Sequence, residues 1–121
     1  MNENDLFEDG VRAFKAGEFD AAVENLEAAT KLDSANHRAF CYLGAAYAAK
    51  QRYNAAIGAF KMAEQIAPGI ASIHYNIAQA YESAGVFDEA EYEYGRALEL
   101  KPDYALAQQA LAKLKKRLDH V

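Results

Sequence analysis

Positions 47, 53, 56 and 68 hold tyrosine, tyrosine, alanine and proline, and positions 81, 87, 90 and 102 hold tyrosine, phenylalanine, alanine and proline. Phe19 and Ala22 stand one step earlier in the same register, so the pattern returns every 34 residues, as from 22 to 56 and from 47 to 81. The segments EDGVRAFKAGEFDAA (8–22), YLGAAYAAKQRYNAA (42–56) and NIAQAYESAGVFDEA (76–90) are three statements of one unit. A fixed period of this length constrains the fold more than any single residue can. Each unit must be one supersecondary element that buries its apolar face only against its neighbours.

Within a unit the apolar residues follow helical spacing. Phe40, Leu43, Gly44 and Tyr47 fall at i, i+3, i+4 and i+7, and Ala56, Phe60, Ala63 and Ile66 form a second stripe. A short polar turn around Gln51 and Arg52 separates them. Each unit is thus predicted to be an antiparallel helix pair, with helices of about 14 residues and roughly 20 Å. Gly17 and Gly85 sit at the turns of the first and third units, where a positive φ needs no Cβ. Pro68 and Pro102 close the second helix of their units. Two helices approach closely only where side chains are short, so Gly44, Ala56 and Ala63 are expected at the contact, with the rings of Phe40, Tyr47 and Phe60 around it.

The remaining properties bound the class. A chain of 121 residues, 52% hydrophobic and 26% charged, reads as one folded domain spanning 1–121. Its N-terminus, MNENDLFEDG, is polar and acidic, against a secretory signal. No apolar run approaches the roughly 20 residues that span a bilayer. The single cysteine, Cys41, can form no internal disulfide, so the expected location is the cytoplasm, away from membranes. Net charge is −5, and it alternates along the chain. Residues 3–36 hold three basic and nine acidic side chains, 37–70 four and one, 71–104 two and seven, and 105–121 four and one. Successive units of opposite sign attract across their junctions. The basic cluster Lys113, Lys115, Lys116 and Arg117 sits in an acidic protein, which argues against nucleic acid as a partner.

The set Phe40, Leu43–Gly44, Tyr47, Ala56, Phe60, Ala63 and Pro68 resembles the tetratricopeptide repeat. The third unit agrees through Ile77–Ala78, Tyr81, Gly85, Phe87, Ala90, Tyr94, Ala97 and Pro102. The first agrees through Gly10, Gly17, Phe19, Ala22, Ala29 and Leu32, with Ser34 in place of the proline. The resemblance implies an all-α fold: a right-handed superhelical solenoid of three helix hairpins, at about 3–36, 37–70 and 71–104. A capping helix at about 105–119 makes seven helices. Leu106, Ala110, Leu111 and Leu114 are expected to cover the last hairpin, with Lys113, Lys115, Lys116 and Arg117 facing water. Glu91 stands where the earlier units have Val23 and Ile57, so that edge is expected to be exposed or to meet a partner.

No catalytic constellation is present in the sequence. His37, His74 and His120 are far apart, and no metal-binding spacing of histidines or cysteines exists. His74 aligns with Phe40 and reads as a packing ring. DLFEDG at 5–10 lacks the ligands of a calcium loop and lies in a predicted helix. The neighbours of Cys41, Phe40, Tyr42 and Leu43, offer no positive charge to activate a thiol. The expectation is a protein that is not an enzyme and takes no cofactor or metal.

The resemblance further implies a concave face lined by the first helix of each unit. Here that places Phe7, Val11 and Phe14, then Arg38, Cys41, Ala45 and Ala48, then Ser72, Tyr75, Gln79 and Glu82 on it, with Tyr42 and Asn76 beside them. One branch of the family grips the C-terminal carboxylates of heat-shock chaperones through lysine, asparagine and arginine. The corresponding positions here are Phe7, Val11, Tyr42, Ser72 and Asn76, so a chaperone-tail ligand is not expected. The reading is a scaffold that binds a peptide or helical segment of a partner protein in this groove. Its rivals are a self-assembling, homo-oligomeric repeat module and a regulatory or targeting domain of a larger protein.

Overall fold

The computed structural model describes residues 2–119, and there the chain forms seven α-helices and no strand. They are α1 (Glu3–Lys15), α2 (Phe19–Leu32), α3 (His37–Ala49), α4 (Tyr53–Ile66), α5 (Ala71–Ser83), α6 (Phe87–Leu100) and α7 (Ala105–Asp119). Helices α1/α2, α3/α4 and α5/α6 are the three hairpins expected from the period. The chain forms two compact units, one running to Pro68 with α1–α4 and one from Gly69 with α5–α7.

Each hairpin turn is built the same way. At the end of α1 the Gly17 amide donates to the Phe14 carbonyl (3.0 Å) and the Glu18 amide to the Ala13 carbonyl (2.8 Å). Gln51 and Arg52 repeat this pair of bonds on Ala48 and Tyr47, and Gly85 and Val86 on Glu82 and Tyr81. This pairing satisfies carbonyls that a helix end leaves open, and it requires a left-handed residue at its centre. Gly17 and Gly85 adopt φ of +78° and +80°; Gln51, in the same register, adopts +62° with a side chain attached. The helix starts are capped in two places, where the Asn2 and Asn36 side chains accept from the amides of Asp5 and Ala39.

In the first unit Ala22, Val23, Leu26, Ala39, Leu43, Ala46 and Ala59 form a buried cluster, with Phe7, Phe14, Tyr42 and Tyr47 packed against it. A Cβ placed on Gly44 would lie 2.7 Å from two ring carbons of Phe60, and one on Gly10 would lie 2.6 Å from Leu26 Cγ. The close helix contact inferred at Gly44 is therefore real, and Gly10 repeats it one unit earlier. In the second unit Ala78, Ala90, Tyr94 and Leu114 form the cluster, with Tyr75, Tyr81, Phe87, Ala110, Leu111 and Leu118 against it. Helix α7 does cover α6, but not with Leu106, which is 56% exposed. The covering stripe is Ala107, Ala110, Leu111, Leu114 and Leu118. At helical period these share one face, and Leu106 lies a step of about 100° off it. Lys113, Lys115, Lys116 and Arg117 are exposed, as expected, and Arg117 in addition donates to Glu82.

Two substitutions test these contacts with opposite signs. Gly44→Leu must displace the buried Phe60 ring and should lower stability by about 1–3 kcal/mol or more. Gln51→Gly removes a left-handed penalty of roughly 1–2 kcal/mol, partly offset by glycine's greater freedom when unfolded. Its melting temperature should rise by a few degrees. An unchanged midpoint in the first variant, or a lowered one in the second, contradicts the hairpin geometry.

Candidate functional site

In the first unit α1 and α3 lie side by side and carry eight of the candidate residues. The rings of Phe7 and Phe14 both meet Tyr42 edge-on, at centroid distances of 6.2 and 5.7 Å. Phe14 also packs on Phe19 at 5.7 Å, and the Arg38 guanidinium sits 5.5 Å from the centre of the Phe7 ring. Edge-to-face rings and a cation over a ring face are both favourable arrangements. Val11, Cys41, Ala45 and Ala48 are half-buried on the same two helices. The structure thus joins Phe7, Phe14, Arg38 and Tyr42 into one stacked cluster with short apolar side chains on the same helices.

Cys41 corrects one expectation. A positive charge does act on it, from Arg38 on the preceding turn, but burial is the larger influence and pushes the thiol pKa up. The thiol therefore stays protonated at neutral pH and is a poor nucleophile.

In the second unit Tyr75, Gln79 and Glu82 of α5 come together around Tyr94. Tyr75 lies 5.9 Å from the Tyr94 ring and 5.4 Å from that of Tyr104. The Tyr94 hydroxyl donates to Glu82 Oε1 (2.7 Å) and accepts from Gln79 Nε2 (3.3 Å). Burial, then the bond to Glu82, holds the Tyr94 phenol pKa above the usual range. Arg117 of α7 donates to Glu82 Oε2 (3.0 Å) and lies over the Phe87 ring. An open cavity of about 220 Å³ borders this network, with Tyr75, Gln79 and Glu82 on one side and Leu106, Gln109, Ala110 and Lys113 on the other. Asn76 is half-buried and Ser72 exposed on α5. The α7 residues were not anticipated here. Their approach to α5 joins positions some 35 residues apart, which no spacing within one repeat reveals.

The other polar candidates have structural surroundings. His74 is buried, and its Nδ1 lies 2.7 Å from Glu93 Oε1; His37 begins α3. His120 lies outside the described residues. DLFEDG is helical, in α1. Among the described residues no three His, Cys, Asp or Glu side chains are placed to hold a metal ion, and no helix is long and apolar enough to cross a membrane.

Comparison with known proteins gives the same fold. Tetratricopeptide repeat models match residues 8–71 and 71–104. Superkiller complex protein 3 of mouse and of human is 28% identical over 102 residues, 84% of this chain and 6% of the relative, so the chain spans only a small part of that protein's length. Among solved structures, MamA superposes with a TM-score of 0.94 at 25% identity, covering 98% of this chain and 69% of MamA. The first TPR domain of Spaghetti (RPAP3), solved bound to the HSP90 peptide SRMEEVD, superposes at 0.91 with 23% identity, covering 98% and 94%. That second likeness is one of fold. With a family model matched over more than half of its length, and three hairpins built on the same seam, the chain belongs to the tetratricopeptide repeat family.

Proposed function

We propose that the chain is a non-catalytic scaffold whose first-of-pair helices bind a peptide or helical segment of a partner protein. The observation that carries this reading is the face shared by α1 and α3. Phe7, Phe14 and Tyr42 stand there as ring walls, and Val11, Cys41, Ala45 and Ala48 remain only half-buried. Short side chains flanked by rings leave room for an inserted aliphatic residue. On α5, Tyr75, Asn76, Gln79 and Glu82 offer a more polar patch, suited to hydrogen bonding with a peptide. The likeness to a repeat domain solved with a bound peptide supports the same class of partner. It does not extend to the ligand. Phe7, Val11, Tyr42, Ser72 and Asn76 stand where the carboxylate-binding branch has its lysines, asparagines and arginine. Phe7 and Tyr42 are in addition packed edge-on against one another.

Ala45→Glu tests the face directly. Alanine and glutamate differ by only a few tenths of a kcal/mol in helix propensity, so stability should hardly change. A partner side chain pressed on the new carboxylate would have to desolvate it, and affinity should fall about a hundredfold. The comparison is Glu24→Lys, an exposed position on α2, with both variants titrated against the partner isolated from native extract. If the α2 change weakens binding and the α3 change does not, the assigned face is wrong. A second experiment addresses the ligand class. The peptide SRMEEVD should give no measurable heat of binding in calorimetry, and a micromolar dissociation constant would refute the reading of the clamp positions.

A further inference from the structure

The second unit carries another open surface, on α6 and α7, that peptide binding on α1, α3 and α5 does not use. Asp88, Glu91, Tyr92 and Gly95 of α6, with Leu111 and Lys115 of α7, surround a cavity of about 510 Å³. The repeat says what such a surface is for. Two periods earlier Glu91 and Leu111 correspond to Val23 and Leu43, which are 7% and 5% exposed and share a core cluster with Ala59 of α4. There, a helix seals the face. Here Glu91 and Leu111 are half-buried, and Tyr92 is 64% exposed.

Two further features identify the occupant. Glycine weakens a helix interior, yet a Cβ on Gly95 would meet nothing within 4 Å, so no contact inside the molecule calls for it. The open space above it leaves room for a backbone from outside, though Gly58 on α4 is open as well, so the glycine supports the docking of a helix only together with the charge beside it. The second feature is charge. Asp88, Glu91 and Glu99 border the cavity against Lys115, and Glu99 is already bonded to Arg96. An apolar helix laid over Glu91 would strip water from a carboxylate with nothing in exchange, whereas one carrying a cation would pair it. The Tyr92 ring offers a face to the stem or head of that cation.

We propose that the α6–α7 face docks an amphipathic helix of a partner protein, with a Lys or Arg on Glu91 and Asp88 and small or aliphatic residues over Gly95 and Leu111. The site is separate from the α1–α3 face, so either assignment can fail alone.

The probe is a synthetic amphipathic helix of Ala, Leu and Lys, compared with the same peptide bearing Glu for Lys, followed by amide chemical shifts on the full chain. The Lys peptide should shift Gly95, Leu111 and their neighbours, and the Glu peptide should not. Glu91→Val restores the residue type of the earlier repeats and should weaken the Lys peptide at least about tenfold by removing its ion pair. Gly95→Leu fills open space and should block docking, while Gly58→Leu, on α4 and equally open, should leave it unchanged. Equal binding of the two peptides, shifts confined to other helices, or undiminished binding to Gly95→Leu would overturn the proposal. So would a concentration-dependent mass that Gly95→Leu abolishes, since the face would then belong to a second copy of the chain.

Discussion

The contact on which everything else depends is the close approach of the two helices within a hairpin. It recurs at a small residue on the first helix facing a large one sixteen positions later: Gly10 with Leu26, Gly44 with Phe60, and Ala78 with Tyr94. Because these side chains are short, the second helix can lie against the backbone of the first, and the large partners become almost fully buried. Antiparallel helices this close leave few residues for the connection. The turn must therefore reverse sharply, and a left-handed residue appears at 17, 51 and 85. Seam and turn are one constraint seen twice. Gln51 shows their order of strength, since the turn is kept even where the side chain disfavours it.

Polar groups drawn into this packing are all answered. Among the described residues no buried side-chain nitrogen or oxygen lacks a partner. Tyr47 donates to Glu27 across α3 and α2, and burial together with that carboxylate pushes the phenol up to about 12. His74 meets Glu93, and Tyr94 meets Glu82. Each links two helices through a ring or its polar tip, so direction is added to packing that is otherwise non-directional. The alternating charge of the sequence acts in the same way. Lys50 pairs with Asp20 across the first junction, and Arg117 with Glu82 across the last, though exposed pairs of this kind contribute little each.

The hairpins were legible in the sequence because their determinants lie close along the chain and repeat. Small residue, large residue and turn glycine all fall inside one period, so three noisy copies correct one another. Single helices at the margin offer no such check. Leu106 looks like a core leucine by composition, and only the orientation of α7 against Tyr94 and Ala90 decides that Ala107 and Leu114 go inside. The candidate face was legible in part. The candidate positions on α1, α3 and α5 are those the family resemblance implies, and it does not imply their contacts. That Arg38 lies over Phe7, or that Arg117 reaches Glu82, depends on side-chain reach between helices and leaves no trace in spacing, whereas the charge of Arg38 acts on Cys41 from i, i+3 on the same helix.

Those contacts change what the face can do. A residue that already stabilises the fold is a poor place to evolve specificity, because altering it disturbs packing as well as recognition. Phe7, Phe14 and Tyr42 are bound to one another, and Glu82 is held from two sides. Val11, Ala45, Ala48 and Asn76 are half-buried and take no part in those pairings. Val11 and Ala45 stand one residue, about 100° of helix, from the seam at Gly10 and Gly44, and Asn76 lies nearly across from Ala78, so these three can change size with less effect on it. Ala48, one turn after Gly44, lies close to the seam side. In the first unit the rings thus fix the shape of the α1–α3 surface, in the second Glu82 and Tyr94 fix that of α5, and on the function proposed above the side chains outside these pairings are the ones left to set which partner fits. The helix itself allows this: with about 3.6 residues per turn, one stripe can be held constant while a stripe about 100° or more around the helix varies.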